Sequence, residues 1–177
     1  MSQRGWTFVL TAQVLTALVI STPASALESD ARQPVRVQAN NLQLDDKSGT
    51  AVYSGAVHIE QGSMKLDAER VELMRNAKGE FTQMKATGTS GKRAYIESLP
   101  SPQEGKVRGW ANTIVYHNPT RRVELIQQAE LHRGSDTFTG AYVQYLMNTR
   151  QVQAQGGGSK GNTNGGRIEM TLSPSAQ

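Results

Sequence analysis

The sequence predicts an all-β protein built of stacked hairpin repeats. Three observations carry this. Apolar and polar residues alternate along most of the chain, turn-forming clusters separate the alternating runs, and the runs recur in the same order. Period two describes a strand with one buried and one wet face. A hairpin of such strands buries only one side and needs neighbours to complete a core. The repeats are therefore expected to stack, either as two facing sheets or as a jellyroll-like solenoid. Both arrangements leave an unpaired strand at each end, open to edge pairing with another chain.

The elements follow in chain order. Residues 1–26 read as a secretory signal peptide. Arg4 supplies the positive start, Trp6 to Ile20 is mostly apolar without charge, and Ala24-Ser25-Ala26 offers a cleavage site. A membrane span needs about 20 apolar residues, and Thr7, Thr11, Gln13 and Thr16 interrupt this run. Residues 27–155 hold the alternating domain. Its runs include Val35-Arg36-Val37, Leu42-Gln43-Leu44, Tyr53 to Ile59, Met64 to Ala68 and Val71-Glu72-Leu73. Ile114-Val115-Tyr116, Val123-Glu124-Leu125 and Ala129-Glu130-Leu131 continue the pattern. Turn chemistry lies between them, as in Asp45 to Gly49, Asn76 to Gly79, His117 to Thr120 and Arg133 to Asp136. Leu99-Pro100-Ser101-Pro102 is too proline-rich for a central strand and reads as a surface loop.

The internal repeat is a small residue followed by apolar residues three and five positions later. It occurs as Ala39-x-x-Leu42-x-Leu44, Ala68-x-x-Val71-x-Leu73, Ala111-x-x-Ile114-x-Tyr116 and Gly140-x-x-Val143-x-Tyr145. Residues 156–166 have flexible-linker composition and lack the Gly-Lys-Ser/Thr ending of a phosphate loop. Residues 167–177 contain a last alternating run, Arg167 to Leu172, that suits an edge strand before a frayed end.

Composition narrows the function. Hydrophobic residues make up 37% of the chain with 17 Gly, which favours a thin β layer over a thick core. There is no Cys, so there is no disulfide, thiol nucleophile or thiolate metal site. The net charge of +4 on its own favours a solvated basic face, and for any partner export points away from nucleic acid and towards phosphorylated lipid or an acidic protein surface. His58, His117 and His132 are scattered without metal-ligand spacing, with His58 and His132 on outward positions and His117 in a turn. Asp67, Glu69 and Glu72 are polar-face carboxylates with no selected pair, and no serine sits on an elbow motif. Nothing here selects a catalyst or a cofactor.

Several words in order resemble the LptA family, the periplasmic bridge of lipopolysaccharide transport with its OstA-like domain. They are Gln33 to Ala39, Tyr53-Ser54-Gly55-Ala56-Val57-His58-Ile59-Glu60-Gln61-Gly62, and Met64 to Val71. Gly109-Trp110-Ala111 through Tyr116 and Phe138-Thr139-Gly140 through Tyr145 complete the set. The resemblance covers Gln33 to Ala154, and the glycine-rich insertion before the last run departs from it. It implies an open β-jellyroll with an apolar groove and no cofactor. Lipopolysaccharide would pass along the groove with its lipid A chains shielded. Copies would join head to tail, and to the jellyroll domains of inner-membrane and outer-membrane transport proteins.

Alternation assigns the inward positions. In the first half these are Val35, Val37, Leu42, Leu44, Tyr53, Val57, Ile59, Met64, Leu66, Val71 and Leu73. In the second they are Tyr95, Ile114, Tyr116, Val123, Leu125, Leu131, Phe138, Val143 and Tyr145. Some of these pack against one another as core. Similarity to the family's first strand implies that Val35 and Val37 face lipid near the N-terminal mouth, with Tyr95 and Tyr116 as further lining. Lys92, Arg93, Arg121 and Arg122 could meet phosphates but read more readily as solvated turn residues. Two other readings remain. One is a β-scaffold that pairs edge to edge without binding lipid. The other is a glycan-binding solenoid, disfavoured by the scarcity of outward aromatics.

Overall fold

The computed structural model describes residues 33–100, 105–157 and 166–172. The leader at 1–26 and most of the glycine-rich segment lie outside the described residues, as does the centre of the proline-rich loop. The described chain contains twelve β-strands and no helix. They are β1 (Arg36–Gln38), β2 (Asn41–Asp45), β3 (Thr50–Gln61), β4 (Met64–Arg75), β5 (Phe81–Thr87) and β6 (Ala94–Ser98). The second half contributes β7 (Val107–Ala111), β8 (Thr113–His117), β9 (Arg122–Arg133), β10 (Asp136–Leu146), β11 (Gln151–Gln155) and β12 (Glu169–Thr171). His117, expected in a turn, is the last residue of β8.

All pairings are antiparallel, and they resolve into two layers that share the long strands β3, β4, β9 and β10. The first layer runs β2-β3-β4-β5-β8-β9-β10-β11. The second runs β1-β3-β4-β6-β7-β9-β10-β12. Each long strand gives half its length to one layer and then crosses into the other. This is the β-jellyroll, with the core between the layers.

The crossings explain the sequence repeat. A strand that keeps strict alternation presents one face throughout, so changing layers requires a break in phase or a bulge. In β4 the inward residues are Met64 and Leu66, then Val71 and Leu73. The step across Ala68 is odd. In β10 Phe138 is followed by Val143 and Tyr145 across Gly140, where the register slips. The small residue of each repeat sits at or beside the corner between the layers. At Gly140 an added Cβ would lie 2.8 Å from the Gln155 carbonyl oxygen.

In β3 and β9 the crossing is made by consecutive residues of positive φ. These are Gly55 (81°) with Ala56 (48°), and Gln127 (63°) with Gln128 (53°). Backbone hydrogen bonds tie the corners into a column. Asn40 N–H donates to Gly55 O at 3.0 Å, Asn112 N–H to Gln127 O at 2.9 Å, and Gly88 N–H to Asn112 O at 2.9 Å. Opposite this column the hairpin turns of the two layers face each other along a seam.

Candidate functional site

The feature that distinguishes this molecule is a continuous apolar interior whose two ends no described residue caps. Its middle is closely packed. Val57, Ile59, Leu66, Val71, Ile114 and Leu125 are at most 1% exposed, and Leu73, Tyr116, Val123, Leu131, Phe138, Val143 and Tyr145 are also buried. Towards the N-terminal end the burial falls away. Val35, Val37 and Tyr53 are half-buried against the core. On β2, Leu42 and Leu44 stand opposite Tyr53 and Ala51, with 57% and 52% of their surface exposed. The C-terminal end repeats this. Val152 and Ala154 of β11 are half-buried opposite Tyr145 and Val143. Met170 of β12 lies opposite Phe138 and is 51% exposed, flanked by exposed Ile168 and Leu172.

The edge strands β1, β2, β11 and β12 carry ladder groups on their outer sides that no strand among the described residues pairs. Each end therefore offers an open backbone edge and uncovered apolar side chains together, a combination natural sheets normally avoid. A cavity of about 520 Å³ opens where the seam meets the N-terminal mouth, lined by Gln33 and Val35 from one layer and by Phe81 and Asn118 from the other. Among the described residues no group of three or more His, Cys, Asp or Glu could hold a metal ion.

A family model described as LptA/(LptD N-terminal domain) LPS transport protein matches residues 36–151, nearly the whole of this double layer. The chain belongs to that family. It is similar to the lipopolysaccharide export system protein LptH of Pseudomonas aeruginosa, at 38% identity over 90% of either chain. It is also similar to LptA of Haemophilus influenzae, at 27% over 90% of this chain and 88% of that one. For LptA of Escherichia coli K12 the figures are 28%, 77% and 72%. Among solved structures it resembles the crystal structure of Pseudomonas aeruginosa LptH. That protein is described as the LptA-homologous periplasmic component of the conserved lipopolysaccharide transport device. The TM-score is 0.72 at 36% identity, covering 82% of this chain and 99% of that one.

Of the expected lining positions in this LptA/LptD-type domain, Val57, Ile59, Leu66, Leu73, Ile114, Tyr116, Leu125, Phe138 and Tyr145 are buried and Val35, Val37 and Tyr53 half-buried, while Leu44 is 52% exposed. Tyr95 lies on the other face. Ala94, Ile96 and Ser98 take the inner face of β6, so Tyr95 stands outside. Its ring lies 5.1 Å from that of Trp110, which lies 4.9 Å from His132. Its hydroxyl donates to Glu97 at 2.8 Å. Burial, then the Glu97 carboxylate, pushes the phenol up to about 12. The sequence misled because Ala94-x-Ile96 and Tyr95-x-Glu97 are both plausible inward phases, and the larger ring suggested the wrong one.

Buried positions beyond those assigned from alternation include Met84, Ala86, Ala94, Ile96, Val107, Ala111, Val115, Ala129 and Met147. The Met84-x-Ala86 and Ala94-x-Ile96 alternations were the available signal. Two polar residues also turned inward unannounced, Gln61 (5% exposed) and Ser98 (7%).

The outer face of the second layer is instead ionic. Asp67 meets His58 Nδ1 at 2.7 Å, Arg93 donates to Glu130 at 2.8 Å, and Lys106 to Glu97 at 3.2 Å. The Tyr95 hydrogen bond, followed by Lys106, holds the Glu97 carboxyl below the usual range, and Arg93 does the same for Glu130. His58–Asp67 and Lys106–Glu97 link neighbouring strands and help fix register, while Arg93 ties the start of β6 to β9; each contributes modestly at such exposure. They assemble no nucleophile–base pair, and the export-system relatives are transport components.

Proposed function

We propose that this protein is a periplasmic bridge that carries lipopolysaccharide between the inner and outer membranes. The observation that supports it is the apolar interior running between two open mouths. Each exposed methylene of a lipid chain is unfavourable in water by about 0.8 kcal/mol, so a multi-chain lipid needs an escort through an aqueous compartment. Lipid A chains would lie between the layers, with the saccharide and phosphates in water along the seam.

Val35, Val37, Leu44 and Tyr53 would meet chains entering at the N-terminal mouth. Phe138 and Tyr145 would meet them at the other. Val57, Ile59, Leu66, Leu73, Ile114, Tyr116 and Leu125 would line the passage once the layers part. The open edges would accept like jellyroll edges, head to tail from a second copy and from inner-membrane and outer-membrane transport partners. The leader at 1–26 would deliver residues 27–155 to the periplasm, with 156–166 as a tether to the last strand.

A photo-crosslinking residue placed at Val37 in living cells tests this, with Arg36, its outward neighbour on β1, as control. Lipopolysaccharide attached at position 37 and little at 36 is the expected result. No adduct at 37 in folded, assembled protein would favour a non-lipid scaffold with a permanently closed core. Equal adducts at both would mean surface adhesion.

A further inference from the structure

We propose that Arg133 is a latch across the seam, holding the two layers together at the C-terminal end of the interior while the N-terminal end stays open. What the latch admits rests on the transport reading above; that it joins the layers does not. The phase of β9 is the first observation. Ala129 and Leu131 are buried in the second layer, 2% and 1% exposed, and alternation puts Arg133 on the same face. Its Cα partner on β7 is Val107, itself buried. An arginine on the inward phase of a strand is unfavourable unless its charge is engaged.

The guanidinium is engaged on both sides of the seam. Within its own layer, Nη2 meets the Asp136 carboxylate at 3.4 Å, and the group lies 5.7 Å from the centre of the Phe138 ring. Nη1 reaches the other layer and donates to the Arg150 carbonyl oxygen, in the turn between β10 and β11, at 2.9 Å. The hairpin of β9 and β10 does not need this last bond, since 17 positions and a change of layer separate donor from acceptor. A planar fork suits the double duty, because its N–H groups point in fixed and different directions.

Close packing behind the latch contrasts with the opposite end. Between Val107 and Leu131 of the second layer and Val123, Tyr145 and Met147 of the first, the void is about 10 Å³, no more than about one water needs. At the N-terminal mouth the cavity is about 520 Å³. The seam is thus wide at one end and fastened at the other. A chain entering at the wide end moves on only when the bond from Arg133 to Arg150 gives way. The same guanidinium lies over Phe138, so its release uncovers an aromatic ring that faces the interior.

The full chain has no cysteine, so nitroxide labels attach only where cysteines are introduced. One labelled pair, Ser135→Cys with Thr149→Cys, spans the seam beside the latch. A second, Gln33→Cys with Thr120→Cys, spans it at the wide end. Pulsed electron paramagnetic resonance reads the distance between the layers, without lipid, in chains with Arg133 or Arg133→Gln. Loss of one hydrogen bond from a charged donor predicts about tenfold more of the parted state at the first pair, and no change at the second. Arg133→Lys keeps the charge beside Asp136 and Phe138 and loses the fork, so the layers part in the same direction by less. Uptake of fluorescent lipid A is faster for Arg133→Gln than for wild type.

Unchanged distances at the first pair overturn the latch. Equal broadening at both pairs also overturns it, since Arg133 would then support the fold as a whole. Should Arg133→Gln fail to fold, Arg133→Lys carries the comparison and the same outcomes decide. Parted layers with unchanged lipid uptake would overturn the role of the latch in admission. Wild-type protein that takes up no lipid would overturn the transport reading alone, and the distances would still decide whether Arg133 joins the layers.

Discussion

At Gly55 the fold depends on the absence of a side chain. Its φ of 81° suits glycine, and an added Cβ would lie 2.9 Å from the Asn40 Cβ. Gly55→Ala is expected to lower unfolding free energy by about 2 kcal/mol or more, since strain and crowding add. The pseudo-equivalent position in the second repeat behaves oppositely. Gln127 already adopts φ 63° with a side chain, so Gln127→Gly is expected to stabilise by up to about 1 kcal/mol. Urea denaturation of the two variants beside wild type checks the pair.

His58 supplies a pH signature at the same scale. Its hydrogen bond to Asp67 raises its pKa above 6.5 in the folded protein, with Glu60 adding to the effect and burial opposing it. A raised folded-state pKa means that the stability this group contributes is full below about pH 6.5 and fades as pH climbs through the folded value. Asp67→Asn should bring the His58 midpoint down in an NMR titration and flatten that part of the stability profile. An unchanged midpoint would show that the pair does not hold in solution.

At the scale of the element, alternation identified which face of nearly every strand is buried, because one wet face forces period two. The repeat of a small residue and a three-residue step was also legible as a pattern. Its meaning was not. Nothing in Ala68-x-x-Val71 alone says that the odd step carries a strand from one layer to the other, since that follows from pairing with strands far away in sequence. Tyr95 was misplaced for a related reason. The phase of a short strand like β6 is set by its neighbours β4 and β7, and local hydrophobicity did not decide it. Inside the elements, Leu66 is fully enclosed. Leu66→Ala should destabilise by about 2–5 kcal/mol, whereas Val37→Ala at the half-open mouth should lose much less. Comparable losses in thermal melts would mean that the mouth is as tightly packed as the middle.

For the whole molecule, the two ends carry the consequences. Uncovered Leu42 and Leu44 at one end, and Ile168, Met170 and Leu172 at the other, are unfavourable in an isolated chain and favourable in an assembled one. A double substitution Leu42→Asp and Leu44→Asp should leave the melting temperature nearly unchanged, because neither residue packs in the core. It should shift the sedimentation profile towards monomer at concentrations where wild-type protein associates. Association unaffected by these charges would place any contact between copies elsewhere on the surface.

The corner column acts as the spine of a book. Because β3, β4, β9 and β10 are bound into both covers, the two sheets cannot slide past one another or come apart at that side. The freedom left to them is to swing open along the far margin. Chains entering at a mouth would then be accommodated by the sheets parting along that margin. If copies join edge to edge with their spines in line, opening one volume would tend to open the next, and passage along the row would be a wave of parting pages.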